Sequence, residues 1–179
     1  MGIDRKRSAV FLDRDGVINE TVLRDGRWCP PACVADVRLL TGVPTALARL
    51  KSAGYLLIVV TNQPDVARGT QSQAEVEAIH HRLAAMLPID DFRTCYHDDA
   101  DGCSCRKPKP GLILAAARDH DVDLTTSVMI GDRWRDVEAG EAAGCETVFL
   151  DYEYAERRPS NPRAVCHSLL EAADWILAR

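Results

Sequence analysis

Val10-Phe11-Leu12-Asp13-Arg14-Asp15-Gly16-Val17 is the stretch on which the reading of this chain turns. A short apolar run that ends in two carboxylates and a glycine is a buried strand delivering charge to the rim of a sheet. In open α/β sheets that rim is where ligands bind. An ionised aspartate there can attack phosphorus and form an aspartyl-phosphate, which divides one difficult hydrolysis into two easier steps. Asp13 is the candidate nucleophile. Asp15, two residues on, suits an acid that protonates the leaving oxygen and a base that later takes a proton from water. Two carboxylates facing a phosphate repel it, so the pair calls for a hard divalent cation such as Mg2+.

Outward from this stretch, short β-rich runs alternate with helical patterns. Residues 9–12, 56–61, 93–97, 127–130 and 147–150 read as strands. Leu57-Ile58-Val59-Val60 is apolar at every position, as a strand covered on both faces of a parallel sheet must be. Ser72 and Glu75 form a capping box ahead of Val76, Ile79, Leu83 and Leu87 on one helix face. Pro44 and Pro110 each sit where a first helical turn begins. A last helix is expected from about Pro162, with Cys166, Leu169, Leu170, Ala173, Ile176 and Leu177 on its apolar side. Residues 20–40 and 152–161 read as loops. This order predicts one domain over residues 1–179, a three-layer, doubly wound (Rossmann-like) α/β fold with a parallel sheet.

Two more strand ends and one loop add to the same rim. The strand at 56–61 ends in Thr61-Asn62-Gln63, and that at 127–130 ends in Gly131-Asp132, with Asp136 four residues later. Between them, Arg106-Lys107-Pro108-Lys109-Pro110-Gly111 leads into a helix N-terminus, where an anion is favoured. Nucleophile, acid, hydroxyl, metal ligand and countercharge are what phosphoryl transfer requires.

Cys95-x-His97 followed by Cys103-x-Cys105 supplies three thiolates and one imidazole, the donor set of a closed tetrahedral Zn2+ site. With every position filled, zinc there is structural: it holds the loop, and Arg106 and Lys107 follow it directly.

The four motifs Asp13-Arg14-Asp15-Gly16-Val17, Thr61-Asn62-Gln63, Lys107 and Gly131-Asp132-Arg133-Trp134-Arg135-Asp136 resemble those of the haloacid dehalogenase-like phosphatases. The resemblance implies Asp13 as nucleophile and Asp15 as acid/base with its backbone carbonyl on Mg2+. It implies Thr61 and Lys107 on the phosphoryl group and Asp132 completing the Mg2+ site, with Asp136 as its support. The zinc loop running into Arg-Lys-Pro is similar to a branch without a separate cap domain, acting on heptose bisphosphate or histidinol phosphate. That branch implies substrate contacts at Asn62, Gln63, Arg106 and Arg133, with a heptose 1,7-bisphosphate as the leading substrate and histidinol phosphate as the alternative. A nucleic-acid 3′-phosphatase and a catalytically silent binding protein are the more distant readings. The chain departs from the heptose pattern at Thr21–Trp28 and at Pro64-Asp65, where Ser-Gly is usual. Asp98, Asp99 and Asp101 raise the question of a cationic substrate.

Composition narrows the partners. The 179 residues carry a net charge of -5, with no basic stripe for nucleic acid. No apolar stretch reaches the roughly 20 residues of a membrane span. Seven cysteines and no apolar secretory core before Asp13 suggest a reduced, cytoplasmic, monomeric protein acting on a small phosphorylated metabolite. Cys145 and Cys166 read as core thiols, Cys29 and Cys33 as loop residues, and His80, His81, His120 and His167 as solvated or capping side chains. Trp28 is an aromatic that can stack on a ligand, and Trp134 one that walls the pocket or simply packs.

Overall fold

The structure, a computed structural model of the chain, describes residues 6–24 and 26–179. Residues 1–5, which carry part of the basic N-terminal run and of the stretch read for a secretory signal, lie outside the described residues, as does Asp25. In chain order the elements are β1 (Ala9–Leu12), the hairpin strands β2 (Val22–Arg24) and β3 (Arg27–Cys29), α1 (Val43–Ser52), β4 (Leu56–Asn62), α2 (Gln73–Met86) and β5 (Asp91–Cys95). They continue with α3 (Gly111–Asp119), β6 (Val128–Gly131), α4 (Trp134–Ala143), β7 (Glu146–Leu150), β8 (Ala164–Cys166) and α5 (Leu169–Leu177).

Six strands form one parallel sheet in the order β5-β4-β1-β6-β7-β8. The chain works outward from β1 to β5 on one side and returns beside β1 at β6, so the strand order reverses at the β1–β6 boundary. Ligands of doubly wound sheets bind outside the strand ends at such a reversal. Asp13 and Asp132 follow the two strands that flank it.

The period of two in β1 sorts the core into its layers. Val10 and Leu12 join Val43, Leu47, Leu50, Ile79, Leu83 and the α5 residues Leu169 and Ile176 on one side. Ala9 and Phe11 join Leu112, Ile113, Ala116 and Ala139 on the other. Helices α1, α2 and α5 therefore cover one face, and α3 and α4 the second, which is the three-layer arrangement read from the sequence. Among the described residues, β1 and α1 are separated by the β2–β3 hairpin and a single 3-10 turn, with no cap domain between them. No helix among the described residues is long and apolar enough to cross a membrane.

Three local expectations are corrected. The fifth strand runs over Asp91–Cys95 and not 93–97: Asp91 is drawn in by Arg93 and His120, while the Cys95 carbonyl accepts from Gln63 N (2.7 Å) and the chain then leaves the sheet. The expected helix from Pro162 begins only at Leu169. Ala164–Cys166 pair with Val148–Leu150 as the edge strand β8, and the Ser168 side chain accepts from Glu171 N as the true N-cap. The 20–40 loop contains the β2–β3 hairpin, in which Leu23 faces Trp28 across the ladder.

Candidate active site

The last ladder bond of β1 runs from Asp13 N to the Ile130 carbonyl of β6 (3.0 Å). The Asp13 carboxylate then stands at the rim. Oδ1 accepts from Arg14 N (2.8 Å) and lies 2.9 Å from Lys107 Nζ. Lys107 is buried between two acids, since its Nζ also lies 2.6 Å from Asp136 Oδ1. Burial alone would lower the lysine pKa, but the two carboxylates win and raise it. The cation therefore persists across the physiological range.

Asp13 itself is pushed up to about 6, chiefly by burial, with Lys107 opposing and Asp136 and Asp15 adding. Asp15 shifts the other way. Burial raises it, yet Arg14 Nε and Nη2 grip both of its oxygens (3.1 and 3.0 Å), and Asn19 Nδ2 and Gln63 Nε2 donate to it as well (2.9 and 2.8 Å). The net result is a carboxyl held below its ordinary value.

Thr61 and Asn62 come from the end of β4. Gln63 Nε2 donates to Thr61 Oγ1 (2.9 Å), so the threonine hydroxyl hydrogen is free to point at a ligand. Asn62 brackets the Lys107 backbone, donating to its carbonyl and accepting from its N–H, both at 3.1 Å. Gln63, expected at the substrate, is wholly buried beneath Asp15 and Thr61 and braces them instead.

Asp132 is 1% exposed, and among the described residues neither carboxylate oxygen has a well-aligned hydrogen-bond donor, the Tyr154 hydroxyl being the nearest group to supply one. Arg133 Nε approaches only to 3.4 Å. Burial, then Asp13 and Asp136, raise its pKa well above the ordinary range. Two buried oxygens without an aligned donor, beside further carboxylates, suit a hard cation, and ligand oxygens of Asp13, Asp132 and Asp136 lie within 4.8 Å of one another. Asp136 has structural duties too. Its Oδ2 accepts from Arg133 N (3.0 Å) at the start of α4 while Oδ1 faces Lys107.

The second constellation is equally compact. Among Cys95 Sγ, His97 Nδ1, Cys103 Sγ and Cys105 Sγ, five pairs lie 3.1 to 3.7 Å apart and all four donors fall within 4.8 Å of one another. A tetrahedral ion with Zn–S bonds of about 2.3 Å spaces its ligands by roughly 3.8 Å, so the donor set fits zinc in type and size. Lys109 Nζ ties this loop back by donating to the Gly102 and Cys103 carbonyls.

A cavity of about 540 Å³ opens above the carboxylates, lined among others by Asp13, Asp15, Asn62, Arg106, Lys107 and Arg133. Its rim cations already have partners. Arg68 holds Asp98 through Nε and Nη2 (2.7 and 2.8 Å) and faces Asp65 at 3.4 Å. Arg106 donates to Asp99 (2.8 Å), and Arg135 reaches the same oxygen (3.3 Å). Arg133 meets Glu156 and lies over the Tyr154 ring. Trp28 stands at the cavity edge, 56% exposed, and Trp134 is flanked by Arg135 and Arg157.

The sequence reading passed over Arg14, Asn19 and the true place of His80. Expected to be solvated or capping, His80 is buried, stacked on Phe92 and bonded to Arg14. Its spacing from Val76 and Leu83 on the apolar side of α2 was the available signal.

A model of the HAD-hydrolase-like family matches residues 104–172. The D-glycero-D-manno-heptose-1,7-bisphosphate 7-phosphatase of Thermosynechococcus vestitus is 34% identical over 193 aligned positions, spanning 95% of each chain. The D-glycero-beta-D-manno-heptose-1,7-bisphosphate 7-phosphatase of Rhodopseudomonas palustris is 41% identical over 156 positions, spanning 78% of this chain and 81% of its own. Among solved structures, the D,D-heptose 1,7-bisphosphate phosphatase of B. bronchiseptica, complexed with magnesium and phosphate, superposes with a TM-score of 0.82 at 33% identity, covering 96% of this chain and 98% of its own.

Proposed function

The chain belongs to the haloacid dehalogenase-like hydrolases, and within them we propose that it is a magnesium-dependent phosphatase removing the 7-phosphate of D-glycero-D-manno-heptose 1,7-bisphosphate. The observation that carries this reading is the gathering of Asp13, Thr61, Lys107 and Asp132 at one sheet rim, in a chain similar end to end to enzymes of that activity.

Asp13 Oδ1 is held by Arg14 N and Lys107, which leaves Oδ2 to attack phosphorus. The new Asp13 O–P bond forms as the bond to the sugar oxygen breaks, and Asp15 gives that oxygen a proton. Water then attacks the aspartyl-phosphate, Asp15 takes its proton, and phosphate leaves with Asp13 restored. In the resting site four donors keep Asp15 ionised, which suits the second half-reaction. For the first, the repulsion of the arriving phosphate dianion raises the affinity of Asp15 for a proton, which it takes from solvent. Thr61 Oγ1 and Lys107 Nζ bind the transferred group. Asp13, Asp132 and the Asp15 backbone carbonyl would hold Mg2+, which when bound supplies charge neutralisation at the phosphoryl oxygens. Cys95, His97, Cys103 and Cys105 would hold a structural zinc.

The substrate preference is supported by the rim. Asp98 and Asp99 are each matched by arginines, which weakens this loop's pull on the amine of histidinol phosphate. Asp65, out of pattern for the heptose enzymes, is offset by Arg68. Arg106 and Arg133 line the cavity and are the groups suited to a second phosphate, which would compete with Asp99 and Glu156 for them. The three thiol ligands support a reducing, cytoplasmic setting.

Phosphate release with Mg2+ tests the reading. The panel holds heptose 1,7-bisphosphate, histidinol phosphate, other sugar phosphates and a 3′-phosphorylated oligonucleotide, with Asp13→Asn as control. Preferential turnover of the heptose bisphosphate, lost in Asp13→Asn, is expected. Preference for another substrate would overturn the assignment, and turnover surviving in Asp13→Asn would overturn the nucleophile.

A further inference from the structure

We propose that His80 is a positioning residue for this reaction: its Nε2 fixes the buried guanidinium of Arg14, and Arg14 in turn fixes the carboxylate of Asp15. The inference rests on the functional reading above in taking Asp15 as the acid/base.

Arg14 is wholly buried. A guanidinium has five donors and no acceptor, so each edge turned inward needs a partner. Nε and Nη2 meet the two Asp15 oxygens side by side. Nη1, on the far edge, meets His80 Nε2 at 3.1 Å. Because Arg14 can only donate, His80 Nε2 is the acceptor, and the ring carries its proton on Nδ1.

The ring has little freedom to move. It is 7% exposed and stacks on Phe92 with centroids 4.6 Å apart and planes 19° apart. Phe92 belongs to β5, and His80 to α2, whose first turn is pinned by the Ser72–Glu75 capping box. Neither element supplies another member of the carboxylate cluster. A planar fork gripping Asp15 can still pivot about its contact edge, and the bond on the opposite edge removes that pivot. Burial, then Arg14, drop the His80 pKa to about 3, so the neutral acceptor persists through the physiological range.

The test has two arms. In the first, 15N spectra of the histidine rings of the wild-type protein, with His80 identified by its absence from His80→Gln, report the tautomer. A neutral Nδ1–H ring at pH 7 is expected, and a ring protonated on Nε2 overturns the proposal. In the second, His80→Leu removes the acceptor while His80→Gln offers Oε1 in its place. With thermal unfolding confirming that both fold, kcat for whichever phosphate ester the wild type turns over is expected to fall on the order of 10²-fold in His80→Leu. KM should change little, and His80→Gln should recover most of the loss. Equal activity in the two variants overturns the proposal. A wild type without phosphatase activity would count against the functional reading and not against His80. The ring tautomer, with hydrogen-exchange protection of the Arg14 guanidinium in His80→Gln and its loss in His80→Leu, then decides the proposal alone.

Discussion

A Cβ placed on Gly16 would lie 2.2 Å from Oδ2 of Asp132. The glycine after the two aspartates therefore makes room for the carboxylate arriving from β6, and its φ of +84° is one that other residues adopt only with strain. Gly16→Ala should cost about 1–2 kcal/mol for the left-handed backbone alone. It should also displace Asp132, weakening Mg2+ affinity by about 10-fold or more. Calorimetric unfolding with a Mg2+ titration of activity checks both, and an unchanged Mg2+ dependence would contradict the contact.

Asp13→Asn should abolish turnover and, without magnesium, change the pH dependence of stability. In the folded chain burial sets Asp13 near 6, against about 4 in an unfolded chain. The native state thus binds the proton more tightly. The resulting stability is full below about pH 4 and is lost as pH rises through about 6. In chelator-treated protein, the melting temperature of the wild type relative to Asp13→Asn should fall between pH 4 and pH 7. Parallel curves would refute the shift.

Elemental analysis of the purified protein should find one zinc per chain. Cys103→Ser should lose it, whereas Cys145→Ser, altering a core thiol, should retain it. Because Arg106 and Lys107 follow the last ligand, loss of the metal should lower both melting temperature and kcat. Zinc retained by Cys103→Ser would remove that cysteine from the ligand set.

Arg106→Ala should raise KM for a sugar bisphosphate by about 10- to 100-fold, a charge-assisted hydrogen bond being worth about 1.5–3 kcal/mol. A monophosphate of the same sugar should be nearly unaffected. An equal effect on both substrates would place Arg106 at the transferred phosphate and not at the second one.

Much of the site was legible because phosphoryl chemistry is written locally. Asp13 and Asp15 share one strand end, Thr61 to Gln63 another, and the four soft ligands fall within eleven positions. What stayed hidden was partnership across distance. Gln63 reaches Asp15 across 48 positions and so braces the site instead of lining it. The helix expected from Pro162 hid an edge strand, because three residues pairing with β7 leave little periodic trace, although the Ser168 and Glu171 pair was there to mark the later start.

By itself the sequence determined the layered parallel sheet, the phosphate rim and the cysteine–histidine cluster, since hydrophobic period and donor spacing act over a few residues. Only the tertiary structure decided which charges neutralise which. It matched Asp98 and Asp99 with arginines from three separate segments, and it drew His80 onto Arg14 from 66 positions away. The physical reason differs between the two cases: the solvent-facing Asp98 and Asp99 meet whichever arginines the neighbouring loops carry to the same rim, whereas the buried Arg14, removed from water, must find its partners wherever the packed elements bring them.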